Sequence, residues 1–123
     1  MIDKTILESS FKIQCNCVSQ FGIEYMRSNL VIKNQNMFNG SIKDSNAPYS
    51  VVELKKDIDL DYCEGYVAFI NNIFDNMTEE CKEILYNEYF TISKPNWWLS
   101  KYSKSTLYRL KRQALREFLI YVI

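Results

Sequence analysis

The sequence predicts an all-α fold of five or six helices, in which a C-terminal helix-turn-helix unit of three helices packs on N-terminal helices. Apolar residues recur at intervals of three and four over much of the chain, which is the period of an amphipathic α-helix. Residue types that cap helices precede two of these stretches, at Thr78 and Ser103. Pro95 separates the two stretches, because proline cannot continue a helix.

The composition is that of a small globular chain. Its 123 residues, 47% hydrophobic and 15% aromatic, suffice for one compact domain or for two small subdomains that share a core. We expect an N-terminal helical region at residues 1–76 and the helix-turn-helix unit at residues 77–123. No window approaches the roughly 18 apolar residues of a membrane span, and the N-terminus lacks the features of a signal peptide. The sequence therefore predicts a cytoplasmic protein that does not enter a membrane.

Helices separated by one loop are predicted for the first 76 residues. Residues 2–33 form one long helix or two shorter ones, with Gly22 as the expected break. The run at 34–50 is rich in Asn, Ser, Gly and Pro and predicts a loop. A long amphipathic helix from Leu54 to Met77 follows, in which Gly65 is a tolerated weak point. We interpret the acidic residues of its first half as a solvated face, with a partner-binding surface or a self-contact with a basic helix as the alternatives. These residues are Glu53, Asp57, Asp59, Asp61 and Glu64.

The C-terminal unit divides into three predicted helices. Thr78 is expected to cap a helix at 78–91, where Glu79 and Glu80 suit the positive end of the helix dipole. Pro95 is expected to open a short helix at 95–101. The last helix spans 104–121 and is capped by Ser103, with Ser105 as the alternative. These proportions match a helix-turn-helix whose recognition helix is the last one.

The recognition helix has two distinct faces. Its apolar stripe consists of Leu107, Leu110, Ala114, Phe118 and Tyr121. Ser105, Arg109, Arg112 and Arg116 project away from that stripe at 3.6 residues per turn. Arginine is suited to forked hydrogen bonds with phosphate oxygens or with the guanine edge in the major groove.

Charge is strongly polarised along the chain, although the formal net charge is zero. From Lys94 to the end there are seven basic residues and one acidic residue, Glu117, which gives a net charge of +6. The first 93 residues hold 8 basic and 14 acidic residues, a net charge of −6. Only the C-terminal part is therefore suited to a polyanion.

Nothing in the sequence indicates catalysis, a cofactor or a metal site. Cys15 and Cys17 form a C-x-C pair and Cys63 and Cys81 are isolated, without a histidine or a C-x-x-C to complete a zinc site. We interpret all four as buried reduced thiols. The chain also lacks a glycine-rich phosphate loop and a G-x-S-x-G elbow, so we predict that it is not an enzyme.

The stretch YSKSTLYRLKRQALREF resembles the final helix of the −35-reading domain of bacterial sigma factors and, more closely, the C-terminus of ArpU-type phage late-transcription regulators. It is also similar to small uncharacterised mycoplasma proteins. The resemblance covers about 45 residues, from Met77 to Tyr121. The shared residues are Ser103, Ser105, Thr106, Leu107, Tyr108, Arg109, Leu110, Ala114 and Leu115.

The resemblance implies a sigma-like transcription regulator of phage or prophage type, with specific residues at DNA. Those implied to approach the duplex are Lys104, Ser105, Tyr108, Arg109 and Arg112, and those implied to lie near phosphates are Lys101, Lys111 and Arg116. The sequence departs from the family pattern at Lys101, where glycine is usual, and at Trp97 and Trp98, where a small alanine-bearing turn is usual. We expect at least one of the tryptophans to fill the core.

The main hypothesis is therefore sequence-specific binding of duplex DNA. A helical protein-interaction module with the same fold is the alternative, followed by RNA binding, since a helix-turn-helix fold does not prove DNA binding. A homodimer is expected if the chain binds DNA, because one recognition helix makes few base contacts. RNA polymerase or another protein is the remaining candidate partner.

Overall fold

The computed structural model describes the backbone of residues 2–42 and 50–123 and the side chains of residues 2–35 and 60–123. In this part of the chain lie four α-helices: α1 (Phe11–Ile42), α2 (Ser50–Asp75), α3 (Glu79–Leu85) and α4 (Lys104–Ile120). A 3₁₀ helix at Lys4–Glu8 precedes α1, and a π-helical turn at Tyr86–Phe90 continues α3. The described residues contain no β-strand, so the all-α class is confirmed, with four α-helices where the sequence predicts five or six helices.

The first helix is longer than its composition predicts. The run at 34–50 was expected to be a loop because of its Asn, Ser and Gly content, yet α1 continues to Ile42 and α2 begins at Ser50. Residues 43–49 of the expected loop lie outside the described part of the chain. Of the acidic cluster, Asp61 and Glu64 are exposed on α2, and the side chains of the other three acidic residues lie outside the described ranges.

Gly22 does not break α1, in contrast to the prediction, because it serves a packing role within a continuous helix. It is buried, and a Cβ atom at this position would overlap the backbone carbonyl group of Tyr89. The missing side chain therefore lets the backbone of α1 approach the π-helical turn closely. Glycine is used here for proximity and not for an unusual backbone angle.

A single main core joins all four helices. Its aromatic centre contains Tyr25 from α1, Phe74 from α2, Phe90 from the π-helical turn and Phe118 from α4. Most of these rings meet at steep angles, as in the edge-to-face pair Phe74 and Phe90 with ring centroids 4.9 Å apart. Such pairs add to the stability that burial of the rings already provides. Residues from both halves of the chain are thus needed to exclude water from one core.

A second, smaller core lies between α3 and α4. Ile84, Leu107 and Leu110 are buried here, and Trp97, Trp98 and Tyr102 pack around them half-buried. The segment 95–101 is a succession of hydrogen-bonded turns and not the short helix that was expected. In these turns Trp97 donates its backbone N–H to the carbonyl of Lys94 and Leu99 donates to that of Asn96, both at 3.1 Å. Both tryptophans therefore pack against apolar residues.

Among the described residues, no helix combines the length and the apolar character that are needed to cross a lipid bilayer.

Candidate nucleic-acid interface

The last helix begins as its sequence predicts. The Ser103 hydroxyl oxygen accepts a hydrogen bond of 3.2 Å from the backbone N–H of Thr106, which makes Ser103 the N-cap of α4. Ser105 lies beside it, with its hydroxyl 3.3 Å from that of Ser103. The alternative cap is therefore not used, and Ser105 is an exposed residue of the first turn.

Packing fixes the rotation of α4 about its own axis. Leu107, Leu110, Ala114 and Phe118 are buried, as predicted from their spacing. Leu115 and Leu119 are buried too, which makes the apolar stripe wider than expected. Tyr121 was expected to face the core, but it lies just past the end of the helix and is 48% exposed.

The opposite face of α4, called the outer face below, is exposed to solvent. It consists of Lys104, Ser105, Tyr108, Arg109, Arg112 and Arg116. Among the described side chains, none of the ion pairs involves a basic residue of this face. The outer face therefore presents four positive charges that are available to a polyanion.

Two other basic residues that the resemblance places near phosphates, Lys101 and Lys111, form ion pairs within the protein. The Lys101 ammonium lies 2.8 Å from a carboxylate oxygen of Glu83, and that of Lys111 lies 3.1 Å from one of Glu88. Only 18% of the Lys111 side chain is exposed, and its ammonium also lies 5.3 Å from the ring centroid of Tyr89. Lys101 and Lys111 are thus each paired with an acidic residue, Glu83 of α3 and Glu88 of the π-helical turn, whereas the basic residues of the outer face form no ion pair among the described side chains.

Three acidic residues of the same unit, Glu83, Glu88 and Glu117, are engaged in structural contacts, whereas Glu79 and Glu80 are exposed at the start of α3. The Lys101 hydrogen bond holds the pKa of the Glu83 carboxyl below its ordinary value, with a smaller contribution from the Tyr102 hydroxyl. Glu88 accepts from the indole N–H of Trp97 at 3.3 Å as well as from Lys111.

Glu117 has a similar role at the start of α3. Its carboxylate accepts hydrogen bonds of 3.0 Å from both the backbone N–H and the hydroxyl of Thr78. Thr78 is the N-cap of α3 but makes no side-chain cap hydrogen bond, in contrast to the prediction. Its N–H and hydroxyl are instead bound by Glu117 of α4. Desolvation alone would raise the pKa of Glu117, but the hydrogen bonds from Thr78, Gln113 and Cys81 outweigh it and lower the pKa below its ordinary value.

An N-terminal contact on the outer face could not be anticipated from local patterns. Phe11, the first residue of α1, has its ring centroid 6.2 Å from that of Tyr108 and 4.6 Å from the Arg112 guanidinium carbon. Arg116 donates from Nη1 to the backbone carbonyl of Leu7 at 3.4 Å. The C-terminal half of the outer face is therefore bordered by the beginning of the chain, whereas Lys104, Ser105 and Arg109 lie beyond these contacts.

The described residues contain no group of three or more His, Cys, Asp or Glu side chains that could hold a metal ion. The four cysteines are free thiols, with Cys63 and Cys81 buried and Cys15 and Cys17 half-buried. Burial raises the pKa of Cys81 to about 12, so its reactive thiolate form is scarce at neutral pH.

Comparisons of the sequence with protein-family models and curated proteins, and of the structure with solved structures, give no significant match. The functional assignment therefore depends on the residues of the outer face and their surroundings.

Proposed function

We propose that the chain is a DNA-binding transcription regulator of the helix-turn-helix type, in which α3, the turns at 95–101 and α4 form the motif. The observation that carries this proposal is the distribution of charge on α4. Its four outer cations have no carboxylate partner among the described side chains, while Glu83, Glu88 and Glu117 are engaged elsewhere. These three carboxylates therefore do not neutralise the outer face, and its positive charge attracts DNA phosphates.

The proposal assigns a role to each part of the outer face. Arg109 and Arg112 are the base readers, because a guanidinium can bond two acceptors of a guanine edge. Lys104 and Ser105, at the start of α4, contact phosphates, and Tyr108 lies between them and the two arginines. Arg116 contributes positive charge near the phosphates of the DNA backbone. Lys101 and Lys111, which the resemblance placed near phosphates, support the motif through their ion pairs.

Selection from a random duplex pool, followed by fluorescence titration at low and moderate salt, tests the proposal. We expect one sequence class to be enriched and its affinity to fall steeply with salt, because each neutralised phosphate releases counterions. Arg109→Ala should weaken binding to the enriched duplex by about 1 to 3 kcal/mol and relax the sequence preference. Lys104→Ala should weaken all duplexes alike and reduce the salt slope by about one unit.

Arg27→Ala provides the matched control. It removes the same charge from an exposed arginine on α1, which pairs with Glu24 and lies near Tyr62 of α2. Binding by this variant should equal that of the wild type. Loss of binding in the control, or no enrichment together with no binding at micromolar protein in low salt, would reject the proposal. The stoichiometry on the enriched duplex distinguishes a homodimer from a single copy that acts beside RNA polymerase or another protein.

A helical protein-interaction module is the second candidate. The observation that favours it is Ile92, which is 93% exposed in the segment between the π-helical turn and Pro95. Leu30 and Met26 of α1 lie along the same groove. If the titration shows no DNA binding, substitution of Ile92 by Ser should reduce association with a protein partner while leaving the helical content unchanged.

A further inference from the structure

Phe11 lies at the centre of a group of α4 side chains from which it is separated by about a hundred residues in sequence. Its ring centroid is 4.6 Å from the Arg112 guanidinium carbon and 5.8 Å from the Lys111 ammonium. The Tyr108 ring borders it on the same helix, with the centroids 6.2 Å apart. One aromatic ring of the N-terminal segment therefore contacts three side chains of α4.

The backbone that precedes Phe11 is tied to α1 by hydrogen bonds from Gln14. The Gln14 side chain, one turn further along α1, is nearly buried at 9% exposure. Its amide nitrogen donates to the carbonyls of Ile6 at 3.1 Å and Leu7 at 3.2 Å, which ties the 3₁₀ helix to α1. Phe11 itself is half-buried against the main core. The Phe11 ring is therefore supported by the main core on one side and contacts α4 on the other.

We propose that Phe11 is a positioning residue for DNA recognition, which holds the Arg112 guanidinium at the outer face before the duplex arrives. The inference rests on the proposed function. A guanidinium group contacts an aromatic ring through the flat face of the guanidinium. The N–H donors at the edge of the guanidinium therefore stay free for phosphate or base acceptors. A long, flexible arginine side chain that is already ordered loses less conformational entropy on binding.

Two substitutions at Phe11 separate positioning from simple core filling. Phe11→Leu keeps an apolar side chain but removes the aromatic face, whereas Phe11→Tyr keeps the ring. We expect Phe11→Leu to bind the enriched duplex about three- to tenfold more weakly, because the Arg112 side chain must then be ordered during binding. Phe11→Tyr should bind within about twofold of the wild type, since the ring is conserved. Thermal melts of both variants verify that they fold.

A double-mutant cycle with Arg112 gives the decisive measurement. If Phe11 acts through Arg112, Phe11→Leu should have no further effect on affinity in the Arg112→Ala background. A ring-current shift of the Arg112 side-chain protons should be present in the free wild type and in Phe11→Tyr, and absent in Phe11→Leu. The inference is overturned, while the proposed function stands, if Phe11→Leu binds as tightly as the wild type. It is also overturned if Phe11→Leu lowers the affinity as much in the Arg112→Ala background as in the wild type. If the wild type enriches no duplex, both fail.

Discussion

At the scale of single residues, the helical glycines Gly22 and Gly65 differ in their surroundings. A Cβ atom at Gly22 would overlap the Tyr89 backbone carbonyl, whereas one at Gly65 of α2 would have no atom within 4 Å. Gly22→Ala should therefore destabilise the protein by about 1 to 3 kcal/mol, as overpacking against a rigid backbone does. Gly65→Ala should stabilise it by about 0.4 to 1 kcal/mol, because alanine favours the helix.

Urea denaturation of the two glycine variants measures both effects. The same chemical change should shift the unfolding midpoint in opposite directions. Destabilisation by Gly65→Ala, or tolerance of Gly22→Ala, would mean that the close approach of α1 to the π-helical turn is not present in solution.

Glu117 gives stability a pH dependence. Its pKa in the folded protein lies below its ordinary value of 4.5, so the carboxylate stabilises the fold at neutral pH. That contribution is lost as the pH falls from about 4.5 through the lower pKa of the folded state. Glu117→Gln should cost about 1 kcal/mol at pH 7, since Thr78 loses a charged acceptor at the start of α3.

Urea melts from pH 7 to pH 3 test the role of Glu117. The free energy of unfolding should fall less steeply with acid in Glu117→Gln than in the wild type. Glu64→Gln, at an exposed carboxyl of α2, is the control and should retain the wild-type slope. If the pH dependence of unfolding were the same in Glu117→Gln as in the control, the contact of Glu117 with Thr78 would not stabilise the fold.

At the scale of elements, the two faces of α4 make separate contributions. Leu110 is buried in the smaller core, so Leu110→Ala should cost about 2 to 5 kcal/mol of folding free energy. Arg109 is exposed on the outer face, and Arg109→Ala should change stability by about half a kcal/mol or less. Denaturant melts compare the two directly. Equal losses would require a different rotation of the helix about its axis.

The same helix indicates how far sequence reasoning extends. The Ser103 cap and the buried Leu107, Leu110, Ala114 and Phe118 are confirmed, because capping and amphipathic spacing are local properties. Residues 95–101 differ from the prediction. Their backbone forms a series of turns, in which Trp97 and Trp98 pack half-buried against the smaller core. The reason for glycine at position 22 is equally non-local, since its backbone lies against Tyr89, which is distant in sequence.

The candidate site was predictable only in part, for the same reason. The exposed arginines follow from helical spacing, and the structure places them on the outer face as expected. The partners of Lys101 and Lys111 lie on a different helical segment, at Glu83 and Glu88. The contact of Phe11 with Arg112 joins the first and last helices, and no local pattern encodes a contact over that sequence separation.

At the scale of the whole molecule, the main core crosses the boundary that the sequence suggested at residue 76. Val18 and Tyr25 of α1 are buried together with Leu85, Phe90 and Phe118 of the C-terminal unit. Neither half can bury its apolar surface without the other, because each supplies part of one continuous core. The described helices should therefore unfold in one cooperative transition.

The tryptophans provide a test of this cooperativity. Trp97 and Trp98 both lie in the C-terminal unit, so their fluorescence reports on that unit, whereas far-ultraviolet circular dichroism reports mainly on the long helices α1 and α2. The two signals should have the same urea midpoint. Val18→Ala, a fully buried change in α1, should lower both midpoints together by an amount that corresponds to about 1 to 3 kcal/mol. If Val18→Ala lowered the circular dichroism midpoint but not the fluorescence midpoint, the C-terminal unit would fold independently of α1. The contact of Phe11 with Arg112 would then contribute nothing to the stability of that unit.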